Sequence, residues 1–119
     1  MSQNIQPLEA RKKYRDYLLW LFAKINTFPQ KQKFILGERI GTTALDIAQK
    51  IIEIQYAPKE AKFLLLGKFN LELETLRELM RLAQGMNFIS RKAFLWQELK
   101  IDEVGRMTWG LVCGKKDKK

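Results

Sequence analysis

From Leu66 to Met86 the chain reads LGKFNLELETLRELMRLAQGM, with Leu66, Phe69, Leu73, Leu76, Met80 and Ala83 at alternating spacings of three and four. That rhythm predicts a helix with one continuous packing seam. Asn70, Glu74, Arg77, Arg81 and Gln84 repeat it on another face. There Glu74–Arg77 and Glu78–Arg81 are opposite charges three residues apart, the geometry of weak surface bridges. Phe63, Leu64, Leu65, Leu71, Leu79 and Leu82 lie beyond the seam. A helix apolar round most of its circumference is either central or covered by another subunit. Self-association is therefore expected, with Leu64, Leu71, Leu79 and Leu82, together with Trp96 and Trp109, as interface residues.

Three further helices frame this one. The first, over about 8–26, carries Tyr14, Leu18, Leu21 and Ile25 on one face with Tyr17 and Phe22 beside it. Pro29 breaks the pattern, and Phe28 is expected to plug that end of the fold. The second, over about 30–57, has Phe34, Leu36, Ile40, Ala44, Ile47, Ile51 and Ile54 among its apolar positions. Gly37, Gly41, Ala44 and Ala48 form a strip of small residues on it, although each interior glycine costs about 1 kcal/mol relative to alanine. Close approach of a neighbouring helix would offset that cost. A phosphate-binding loop is the other reading, but no GKS or GKT follows. After a short turn at 56–58 the third helix runs over about 58–86. Ser90 is the expected N-cap of a fourth, over about 90–113, whose seam is Phe94, Ile101, Val104, Thr108 and Leu111.

No strand pattern competes with the helical one. Four helices joined by short turns predict an all-α, up-down-up-down antiparallel four-helix bundle over residues 1–114. Residues 1–7 read as a frayed lead-in and 115–119 as a disordered basic tail.

Charge changes what this bundle is for. Lys and Arg total 22 against 13 Asp and Glu, a net charge of +9, of which KKDKK at the C-terminus supplies +3. A body still basic without its tail points to nucleic acid or to an acidic protein partner. The basic residues are scattered, in neither a recognition helix nor an aromatic–basic single-strand motif of the RRM kind. That distribution suits contact with phosphates rather than base readout. A cyclic oligomer would gather Arg77 and Arg81 into a ring.

Candidate chemistry subtracts rather than adds. The absence of histidine removes the usual general base and metal ligand, and a lone Cys113 forms no internal disulfide. A non-enzymatic protein with no cofactor and no metal is expected. The longest apolar run, Tyr17 to Ala23, falls well short of the ~18 residues that span a bilayer. A cytoplasmic protein without membrane contact is the expectation.

Three stretches, FPQKQKFILGERI (28–40), LELETLRELMRLA (71–83) and DEVGRMTWG (102–110), resemble the accessory variability determinant (Avd) proteins of diversity-generating retroelements. The related bundle family encoded in ribosomal RNA intervening sequences would carry a proline in the second helix, where this chain has TTALDIAQKIIEI. After EVGR, Thr108-Trp109-Gly110 departs from the G-G-W or G-S-W ending common in the Avd family. The resemblance implies a basic pentameric barrel that partners the retroelement's reverse transcriptase and binds RNA or DNA during mutagenic cDNA synthesis and retrohoming. It puts Arg77, Arg81 and Arg106 first among candidate nucleic-acid contacts, then Lys31, Lys33 and Arg39. Arg91 and Lys92 complete the candidate set. The alternative is a scaffold of the same fold that binds an acidic protein without touching nucleic acid.

Overall fold

A computed structural model describes residues 5–113 of the chain. Helix α1 spans Ile5–Ile25. Helix α2 covers 30–56, being α-helical over Gln30–Gln32 and Glu38–Tyr56 with a π-turn at Lys33–Gly37 between them. Helix α3 is Lys59–Gly85 and α4 is Arg91–Cys113. Among the described residues there is no strand. Neighbours in the chain pack on one another, and α4 closes the ring against α1. Helix α1 starts three residues earlier than expected, so 5–7 of the expected lead-in are helical. The rest of the lead-in, 1–4, and the tail at 115–119 lie outside the described residues.

The heptad seam of α3 is its core face: Leu66, Phe69, Leu73, Leu76, Met80 and Ala83 are its buried residues. In α1 the buried set is Ala10, Tyr14, Tyr17, Leu21 and Ile25, with Leu18 only partly covered. In α4, Ile101, Val104 and Thr108 are buried as expected, and Gln97 joins them. Of the apolar positions of α2, Phe34 is not part of the core, and its ring stands in solvent. It lies with the exposed Ile35 in the π-turn, whose buried residues are Leu36 and Gly37.

The small-residue strip has a steric cause. A Cβ on Gly37 would sit 2.9 Å from Ile25 Cγ2, and one on Gly41 would sit 3.0 Å from the Phe22 ring. Helix α1 therefore lies close against α2, and the Tyr14 hydroxyl donates to the Ala44 carbonyl at 2.7 Å. Both glycines lie within helical structure rather than in a loop.

The ends are built by local chemistry. Ser90 Oγ accepts from the Ala93 amide at 3.0 Å, capping α4. At the end of α3 the Phe88 amide donates to Ala83 and the Asn87 amide to Gln84, both at 2.9 Å, a Schellman arrangement. Its left-handed residue is Asn87 (φ 66°), not the nearby Gly85. Lys62 Nζ donates to the Ile54 and Gln55 carbonyls and satisfies the C-terminal end of α2. Phe28 is buried against Phe88, ring centroids 5.3 Å apart, and plugs the end of the bundle where the 26–29 and 86–90 turns meet.

Candidate nucleic-acid interface

The Phe28–Phe88 contact brings two stretches distant in sequence to one end of the molecule. Residues 24–39 and 78–92 together hold seven Lys or Arg, namely Lys24, Lys31, Lys33, Arg39, Arg81, Arg91 and Lys92, against Glu38 and Glu78, a net +5. Among the described residues Lys31, Lys33, Arg39, Arg91 and Lys92 take part in no ion pair. Arg81 is half-exposed and bonds Glu78 at 3.0 Å. Six of the eight residues singled out by the sequence thus share one end of the bundle. The π-turn lies there too, with Phe34 and Ile35 exposed beside Lys33. Scattered charges become a patch only when the two turns meet.

Arg77 stands apart. Its side chain is 18% exposed, and its guanidinium meets Glu74 at 2.7 Å, Glu98 at 3.6 Å and Asp102. The bond within α3 follows from the three-residue spacing. The two bonds to α4 appear only when the helices pack. One arginine shared among three carboxylates already has its donors and its charge engaged within the fold. Arg106 is exposed beside this node, where Asn70, Arg77, Asp102 and Trp109 line an open cavity of about 290 Å³.

The residues expected at a subunit interface do not form one patch. Leu64, Leu71 and Leu82 are exposed on the face of α3 opposite its seam, seven and eleven residues apart. Leu79 packs against the core. Trp109 borders the Arg77 cavity, and Trp96 lies in the groove between α1 and α4, its ring 4.8 Å from that of Trp20.

One polar feature of the core escaped the sequence reading. The Tyr17 hydroxyl donates to Gln97 Oε1 at 2.9 Å, joining α1 to α4 in a buried pair. Burial drives the phenols of Tyr14 and Tyr17 well above the ordinary range. Repulsion from neighbouring Tyr17 and Glu72 adds to this at Tyr14, and repulsion from Glu98 adds to it at Tyr17. Gln97 falls four residues before Ile101 in the seam rhythm, and that periodicity was the available signal. Its polarity hid it.

Comparison with known proteins places the chain in a family. The family model described as bAvd-like matches residues 8–113. No curated protein matches the chain, and no solved structure does.

Proposed function

This chain belongs to the bAvd-like family, and on that premise we propose that it is a non-catalytic accessory subunit of a diversity-generating retroelement. In this reading it binds the element's reverse transcriptase and its template RNA or cDNA in the cytoplasm, and so supports mutagenic cDNA synthesis and retrohoming. The observation that carries the nucleic-acid part is the unneutralised charge at the Phe28–Phe88 end. Lys31, Lys33, Arg39, Arg91 and Lys92 are unpaired among the described residues and would contact phosphates, with Arg81 and Arg106 as flanking cations. Arg77 is assigned to holding α3 on α4, since its donors already face carboxylates.

The leucine stripe of α3 supports self-association. Leu64, Leu71 and Leu82 expose apolar side chains in a heptad-compatible row that another subunit would cover, and a pentamer is the state we propose. Symmetry would then repeat the basic end round an axis and multiply its field. Light scattering of the purified chain should give a mass near five protomers, and the reverse transcriptase should co-purify with it and with RNA. A monodisperse monomer that retains no nucleic acid at low salt would contradict the proposal. Capture of the polymerase that survives nuclease treatment, without any RNA retention, would favour the acidic-protein scaffold instead.

A further inference from the structure

Lys92, Trp96 and Lys100 follow one another at intervals of four along α4, and Trp20 and Lys24 do the same on α1. Residues four apart share a helix face, and the two faces meet, with the Trp20 and Trp96 ring centroids 4.8 Å apart. Lys24 Nζ lies 5.9 Å from the Trp20 ring centre, and Lys100 Nζ lies 5.4 Å from that of Trp96. Trp96 is 39% exposed. Below it a cavity of about 210 Å³ opens between Lys13, Asp16, Tyr17, Lys100 and Glu103.

Resting on the nucleic-acid reading above, we infer that this groove is a binding site for single-stranded nucleic acid, in which a base stacks on Trp96 while Lys24, Lys92 and Lys100 take the flanking phosphates. The chemistry is specific to that ligand. Lys100 Nζ lies over the Trp96 ring, where a base would displace it onto the flanking phosphate. An indole with lysines around it suits alternating bases and phosphates, because every base offers a π-face and every linkage a charge. A duplex keeps its base faces inside the stack and has none free for an indole. The carboxylates make one end of the groove less positive than the other. Lys13 is already paired with Glu103 at 3.2 Å, and Asp16 stands within reach of Lys12 at 3.7 Å, so the lower end of the groove has little free positive charge. The upper end opens through Lys24 and Lys92 onto the basic patch at Phe28 and Phe88. A strand stacked at Trp96 therefore continues into that patch. Trp96 leaves the set of oligomer-interface residues under this assignment.

The test uses the full chain with Trp109→Phe, so that Trp20 and Trp96 are the only indoles, and follows tryptophan fluorescence while an oligouridylate of about twelve nucleotides is added at low salt. Filter retention of the same oligonucleotide reports total binding in parallel. The expected result is saturable quenching by the single strand and little by a duplex of the same length. Trp96→Ala should weaken retention about 10-fold, the scale of removing one base stack. Trp96→Phe should restore most of it, which also guards against a folding defect in the alanine variant. Retention without quenching, or retention equal in Trp96→Ala and wild type, overturns the stacking site while leaving phosphate binding at the basic end in place. Quenching by polyglutamate equal to that by oligouridylate overturns it in favour of an acidic protein. Absence of any retention by the unmutated chain removes both this site and the broader reading.

Discussion

Arg77 of α3 donates to Asp102 of α4, and the same guanidinium lies 3.6 Å from Glu98 one turn earlier on α4. The strongest candidate for a phosphate contact in the sequence is thereby a bridge between helices. Its consequences separate it from Arg81, which is four residues away and, among the described residues, bonds only Glu78.

Replacing Arg77 with alanine leaves Glu74, Glu98 and Asp102, two of them on α4, without the cation that bridges them. A largely covered arginine should cost about 1–3 kcal/mol on removal, less than a fully buried partner because Glu74 and Asp102 keep water. Arg81→Ala, at a half-exposed i,i+3 pair, should stay within about 0.5 kcal/mol. Urea unfolding of the two variants provides the comparison, and equal losses would show that the node at Arg77 has no special role. Nucleic-acid retention should be unchanged by Arg77→Ala once folding is allowed for.

The glycines of α2 should respond differently to the same added methyl group. At Gly37 the new Cβ meets Ile25, a buried β-branched side chain, at 2.9 Å, with the Gln32 carbonyl at 3.4 Å. Neither neighbour moves easily, so Gly37→Ala should destabilise by about 1–3 kcal/mol despite its better helix propensity. At Gly41 the obstacle is the tip of the Phe22 ring, which is partly exposed. That ring can swing outward, and Gly41→Ala should fall within about 1 kcal/mol of wild type. Thermal melts of both variants give the readout.

Much of this was legible in the sequence because apolar spacing is a local property. The six seam residues of α3 and the cap at Ser90 follow from periodicity and one hydroxyl. What periodicity does not encode is which polar groups meet across helices. Gln97 sits on the seam of α4 but reads as a surface residue until Tyr17 is placed against it. Glu98 and Asp102 look like solvated carboxylates until α3 brings Arg77 between them. The basic end was invisible for the same reason, since Lys31 and Arg91 lie 60 positions apart and are gathered by the contact of Phe28 with Phe88. Gly85 has the composition of a helix stop, yet Asn87 adopts the left-handed conformation, which asparagine tolerates better than other side chains.

The buried phenols impose a pH dependence. Tyr14 and Tyr17 bind their protons more tightly in the folded chain than unfolded. Stability from this source is therefore fully present below the unfolded phenol value near 10 and declines as the pH rises above it. Absorbance near 295 nm should show these two phenols staying protonated as the pH passes that value, and ionising only when the chain unfolds. Tyr17→Phe should lose about 1–2 kcal/mol by leaving Gln97 Oε1 without its donor. Ionisation of all three tyrosines with native helicity retained would contradict the burial of this pair.

The central claim is that nucleic acid meets the Phe28–Phe88 end through unpaired cations, and its most direct test is the salt dependence of RNA affinity. In the chain carrying Lys31→Ala, Lys33→Ala, Arg91→Ala and Lys92→Ala, the slope of log affinity against log salt should become shallower by roughly 0.7 for each phosphate no longer neutralised, about 3 in all, with the oligomer unchanged in light scattering. A slope equal to that of the unmutated chain would contradict the account.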